Sequence, residues 1–162
     1  MARLGLIIAL MALSLDWVSK WWVMNVLELK SVQQIPILPF FTLQWAENRG
    51  ISFSMFTAEG DLGRWILVAI TVLIVIGLGF WLKTVQTRLL SVALGLVIGG
   101  AIGNIHDRAL YGYVVDFFQF HTANWSFAIF NVADSAISIG AALLIWDAFL
   151  GSDKNQAPEK SS

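Results

Sequence analysis

The sequence predicts an all-α membrane protein of four transmembrane helices, with a small extracytoplasmic β-cradle at the membrane surface. Three observations predict it. Of 162 residues, 57% are hydrophobic and only 13% are charged, whereas a soluble domain carries about a quarter charged residues to face water. The few charges cluster in short polar breaks between long apolar runs, the pattern of a chain whose middle is surrounded by lipid. Between some of those runs lie short stretches that alternate apolar and polar residues, the period of a strand. A formal net charge of -1, without a basic stripe, argues against nucleic acid as a partner. The absence of cysteine removes disulfides, thiolate nucleophiles and cysteine metal sites together.

The first span is expected at about residues 4–26 and contains Asp16 and Lys20. A cleaved signal peptide is the rival, but there is no small-residue cleavage site, and Asp16 and Lys20 interrupt the apolar core such a peptide needs. The second, about residues 65–82, is the cleanest and near the minimum length that crosses the hydrocarbon. The third, about residues 89–105, holds Gly95, Gly99, Gly100 and Gly103, small residues that let neighbouring backbones approach in lipid. The fourth, about residues 127–150, carries Asn131, Asp134 and Ser135 early and Asp147 at its far end. No Pro/Gly/Ser linker divides the chain, so residues 1–150 are expected to form one domain and the polar residues 151–162 a disordered cytoplasmic tail.

Four spans place Arg3, Lys83, Arg88 and Lys154 on one side and the extracytoplasmic segments, about residues 27–64 and 106–126, on the other. Those segments hold Lys30, Arg49, Arg64 and Arg108. The bias in short loops is moderate and favours both termini in the cytoplasm. Phe41, Leu43 and Trp45 alternate with Thr42 and Gln44 as a half-buried strand, and Asn48-Arg49-Gly50 supplies a turn before a second strand through Phe53. A further strand is expected over residues 113–120, with Val114, Asp116, Phe118 and Phe120 on one face. Open-edged strands cannot sit in hydrocarbon, so the sheet is placed at the outer boundary with its aromatics at headgroup level. A plain aromatic belt would place Trp45 and Phe41 there equally well.

An ionisable residue within a span is a functional candidate by default. Asp134 is the sharpest case, expected two turns into the fourth apolar segment, roughly 10 Å along it at 1.5 Å per residue. Asn131 precedes it by three residues and shares its helical face. Asp116 lies outside the spans, and the eighteen residues to Asp134 are ample to bring the two together. Two carboxylates at an apolar boundary cannot both ionise cheaply, so the pair shares a proton near neutrality. An aspartic protease uses that arrangement: the ionised member takes a proton from attacking water, and the protonated member donates to the peptide carbonyl. No serine triad, HExxH motif or metal-ligand spacing accompanies His106 and His121, so no metal and no cofactor are expected. A polar pair that only packs helices, and a proton- or ion-coupled transport path, are the competing readings. Hydrolysis is preferred because four short spans leave little room for alternating access.

Arg108 is suited to bidentate pairing with a carboxylate other than its neighbour Asp107, and Asn104 to hydrogen bonding across helices. Taken alone, that segment reads better as an ordinary helix end with glycines for packing. Asp16 and Lys20, four residues apart, are expected to form a buried structural pair. Asn48 and Gly50 read first as a turn.

Five pieces together carry a resemblance: Asp16-Trp17-Val18-Ser19-Lys20, Asn48-Arg49-Gly50-Ile51-Ser52-Phe53-Ser54, Gly99-Gly100-Ala101-Ile102-Gly103-Asn104-Ile105-His106-Asp107-Arg108, Val114-Val115-Asp116-Phe117 and Phe130-Asn131-Val132-Ala133-Asp134-Ser135. In this order and spacing the chain resembles the bacterial lipoprotein signal peptidases, or signal peptidases II, over roughly residues 3–150. The resemblance implies an aspartic endopeptidase of the inner membrane. It would remove the signal peptide of a prolipoprotein, cutting before a cysteine that bears diacylglycerol. It implies Asp116 and Asp134 as the catalytic pair. Asn48, Gly50, Asn104, Arg108 and Asn131 would line or support the site, and Asp16, Lys20 and Asp107 would be structural. Membrane lipids and globomycin-like cyclic peptide inhibitors are the other implied partners, and a monomer is expected. Trp17 stands where the family often has Gln, and Ile51 where it usually has a small residue. Outside this family, a small transporter and a structural membrane subunit are the alternatives.

Overall fold

A computed structural model describes residues 1–50 and 62–154. The elements run α1 (Ala2–Asn25), α2 (Leu29–Val32), β1 (Gln34–Leu38), β2 (Phe41–Asn48), α3 (Leu62–Thr84), α4 (Arg88–Tyr111), β3 (Val114–Thr122), β4 (Trp125–Ser126) and α5 (Val132–Lys154). Four of the helices, α1, α3, α4 and α5, are long and apolar enough to cross a membrane. At 1.5 Å per residue, 23 or 24 residues reach about 35 Å, more than the hydrocarbon of about 30 Å. The four long helices and the surface sheet are the architecture expected from the sequence.

Helix α4 is the centre of the bundle and packs against α1, α5 and α3. Thr87 starts it, its hydroxyl accepting the Leu90 N–H at 3.2 Å, and Gly112 ends it at φ +85, a conformation that costs glycine little. Its glycines face two partners. A Cβ built at Gly95 would lie 2.5 Å from the Gly5 carbonyl of α1, and one at Gly100 would lie 2.5 Å from the Ala133 carbonyl of α5. At Gly99 it would strike the Ala9 carbonyl. Gly99→Val is therefore expected to cost about 1–3 kcal/mol by overpacking. The check is a lowered unfolding midpoint in detergent, and an unchanged midpoint would mean that α1 and α4 separate freely. Helix α3 is peripheral, with only Val68 and Leu82 buried and its remaining surface largely apolar.

The strands form one antiparallel sheet in the order β1-β2-β3-β4. Its inner face packs on the end of α1, through a core of Val23, Leu29, Leu43, Trp45, Val115 and Phe117. Trp45 is only 8% exposed, so it belongs to this core and not to a lipid-facing belt. β3 departs from the expected alternation: Val114, Val115, Asp116 and Phe117 are all buried, because neighbours cover both faces of the strand. β1 was not foreseen. It carries Pro36, which an edge strand tolerates because a position facing away from the sheet needs no N–H donor.

Span boundaries differ as well, most at α4 and α5. α4 continues to Tyr111 beyond the expected residue 105, because Asp107 turns inward to a buried partner and does not end the helix. α5 begins at Val132, not at residue 127. The aromatic run before it joins the sheet, with Phe127 and Phe130 N–H groups bonded to the Phe120 and Phe118 carbonyls. α5 extends to Lys154, past the expected start of the tail at residue 151, and residues 155–162 lie outside the described residues. So does the strand expected through Phe53.

Candidate active site

β3 and β2 bring Asp116 to its first partner. Their register places Ala46 opposite Asp116 and Asn48 opposite Val114, after an irregularity between Leu43 and Ala46. Asn48 is thus the diagonal neighbour of Asp116 on one face of the sheet, and its Nδ2 donates to Asp116 Oδ2 at 3.1 Å. The same side chain holds the turn that follows, its Oδ1 accepting the Gly50 N–H at 3.0 Å. Gly50 sits at φ +95, which explains a glycine at that position.

Asp134 is reached through Asn131. The carboxylate lies in the first turn of α5, not two turns into the span, because the helix starts five residues later than the hydropathy suggested. Asn131 immediately precedes the helix and caps it, its Oδ1 accepting the Asp134 N–H at 2.8 Å. Its Nδ2 donates to Asp116 Oδ1 at 2.7 Å and also lies 3.2 Å from the Val115 carbonyl and 3.4 Å from Asn104 Oδ1. Asn104, from α4, donates its Nδ2 to Asp134 Oδ1 at 2.8 Å. Asp116, Asn131, Asn104 and Asp134 therefore form one continuous network. Each oxygen of Asp116 accepts an amide hydrogen, whereas Asp134 Oδ2 accepts none among the described residues.

Electrostatics agree with this placement. Burial, and then the charge of Asp134, push Asp116 up to about 6, against opposing hydrogen bonds from Asn48 and Asn131. Arg108 makes no bidentate pair among the described residues. Its Nε is buried with no hydrogen-bond partner among the described residues, and its charge acts at longer range on Asp134, Asp116 and Asp107. That leaves a guanidinium beside the network with donors to offer.

The three structural candidates form a separate buried cluster beside the network. Lys20 Nζ is 2.7 Å from Asp16 Oδ2, the expected pair, and also 2.8 Å from Asp107 Oδ2. Each carboxylate in addition accepts a backbone N–H, Asp16 that of Ala133 at 2.9 Å and Asp107 that of Val115 at 3.0 Å. The four-residue spacing revealed the first contact, but nothing in the sequence marked the second ion pair or the two backbone acceptances. His106 approaches Asp107 at 3.6 Å, and His121 shares a hydrogen bond with Thr42 in the sheet.

A family model described as signal peptidase (SPase) II matches residues 8–150. The chain belongs to the signal peptidase II family. It is 48% identical over 147 residues to the lipoprotein signal peptidase of Methylorubrum extorquens, covering 90% of this chain and 85% of that relative. It is 47% identical over 162 residues to the one from Sphingopyxis alaskensis, covering 99% and 94%. A solved structure of a bacterial membrane enzyme superposes with a TM-score of 0.78 at 28% identity, covering 98% of this chain and 94% of the other. As a signal peptidase II the chain is an aspartic peptidase of the membrane, and the network just described lies within the matched residues.

Proposed function

We propose that Asp116 and Asp134 are the pair with which this signal peptidase II removes the signal peptide of a lipoprotein. The observation that carries the reading is Asn131: one side chain binds the carboxylate of Asp116 and the backbone amide of Asp134, so residues eighteen apart in sequence meet at the head of α5. One carboxylate accepts a proton from water as the water oxygen attacks the scissile carbonyl. The other donates a proton to the carbonyl oxygen, giving a gem-diol. The first carboxyl then passes its proton to the amide nitrogen while the second takes one back from a gem-diol hydroxyl. The C–N bond breaks to release the amine of the new N-terminus and the carboxylic acid of the signal peptide. Arg108, with donors unused, orients a substrate carbonyl. Asn48, Asn104 and Asn131 hold the carboxylates in place.

The finer reading follows the precursor chemistry. The cut falls before a cysteine bearing diacylglycerol, whose acyl chains stay in the bilayer while the scissile bond lies at its outer boundary. Both termini face the cytoplasm, the enzyme works as a monomer in the inner membrane, and globomycin-like cyclic peptides compete for the site. Purified protein in nanodiscs should cleave a diacylglyceryl-modified precursor and spare the unmodified one, with mass spectrometry placing the new N-terminus at the lipidated cysteine. Equal cleavage of both would remove the lipid from the recognition.

The proton shared by the pair sets a pH dependence. Asp116 is raised to about 6 by burial and by the Asp134 charge, so the singly protonated pair is depleted as pH climbs beyond that value. The profile of kcat/KM is expected to fall on its alkaline side along a single-proton limb with a midpoint of about 6. A flat profile from mildly acidic to strongly alkaline pH would contradict a shared proton.

A further inference from the structure

We infer that Lys20 and its two carboxylates, Asp16 and Asp107, are positioning residues that hold both proposed catalytic aspartates by the backbone. The inference rests on the Asp116/Asp134 reading and deepens it. None of the three side chains hydrogen-bonds to either catalytic carboxylate. What they hold are the peptide groups beside them: Asp16 Oδ1 accepts the N–H of Ala133, the residue before Asp134, and Asp107 Oδ2 accepts the N–H of Val115, the residue before Asp116. Lys20 Nζ closes the link at 2.7 and 2.8 Å. One ammonium group on α1 therefore fixes the separation between the head of α5 and the start of β3.

The surroundings fit a part with close tolerances. Asp16, Lys20 and Asp107 are each no more than 2% exposed. A Cβ at Gly103 would lie 2.5 Å from Asp16 Oδ2, so the absence of a side chain there is what admits the carboxylate. Reacting groups must be held within fractions of an ångström, and small misplacements lower turnover more than binding. Lys20 also acts through its charge. Asp116 faces Asp134 on α5, Arg108 on α4 and the two amides Asn48 and Asn131, and the Lys20 charge draws its titration downward against the pull of burial.

The test uses Asp107, because its loss leaves Asp16 and Lys20 as a balanced pair. Asp107→Ala removes the acceptor for the Val115 N–H, whereas Asp107→Asn keeps an oxygen for it. Positioning predicts that folded Asp107→Ala loses at least tenfold in kcat with KM for a diacylglyceryl-modified precursor within twofold, and that Asp107→Asn recovers most of the loss. Lys20→Arg, which a neighbouring cavity of about 110 Å³ gives room to enter, should keep the alkaline limb of kcat/KM near its original pH. Lys20→Met, measured on its folded fraction, should move that limb to higher pH. Unchanged kcat per folded molecule in Asp107→Ala, or equal loss in the alanine and asparagine variants, would overturn the inference. Asp134→Asn assayed in parallel separates the two readings: if it stays active the dyad fails, whereas if it is inactive while Asp107→Ala is normal only the positioning role fails.

Discussion

Asp134→Asn and Asp116→Asn are each expected to lower kcat/KM by roughly 10²–10⁴-fold, the range that general acid–base groups contribute, with the folded protein still present in the membrane. The two changes are not equally gentle. At residue 134 the helix cap survives, because Asn131 bonds to the backbone N–H there and not to the side chain, and an asparagine oxygen can still accept from Asn104. At residue 116 both carboxylate oxygens accept amide hydrogens, from Asn48 and Asn131. An asparagine there must turn its own N–H₂ toward one of these donors, which is expected to cost about 1 kcal/mol of stability. Rates normalised to monodisperse protein separate lost chemistry from lost fold. Near-normal turnover in either variant would remove that carboxylate from the mechanism.

The second large effect is expected at Lys20. Its side chain is 3% exposed and sits between two buried carboxylates. Removing one partner of a buried ion pair leaves charge without compensation, at a cost of about 3–5 kcal/mol. Lys20→Met should thus unfold at markedly lower temperature or denaturant. The triple change Lys20→Met, Asp16→Asn and Asp107→Asn should recover much of the loss, since an uncharged replacement of a whole buried cluster is often neutral. A single variant as stable as the parent would show that water or ions reach the cluster freely.

The long apolar runs were legible in the sequence because lipid imposes one simple demand, about 20 apolar residues per crossing. Their ends were not. The aromatic segment before Asn131 satisfies the same hydropathy whether it enters the bilayer or joins a sheet, and the Phe118–Phe130 bridge that decides the matter lies between distant residues. Polar residues misled in the opposite direction at Asp107, which looks like a helix end until Lys20 is known to face it. Of the candidate site, residue types and a plausible pairing were readable, and the i,i+4 contact of Asp16 with Lys20 was readable from spacing alone. The double function of Asn131 was not. Sequence places it on the face of Asp134, and only the actual start of α5 makes it a cap, with its amide group aimed at Asp116.

The way Asp116 is held has a bearing on biosynthesis. Its hydrogen-bond partners come from residues 48 and 131, the first emerging early from the ribosome and the second only when the last crossing begins. A nascent chain that has made three membrane helices and β3 has Asp116 and one of its two side-chain supports, Asn48, but neither Asn131 nor Asp134. On the proposed assignment, such a chain completes its reacting pair and the last support of Asp116 only when the final helix is made.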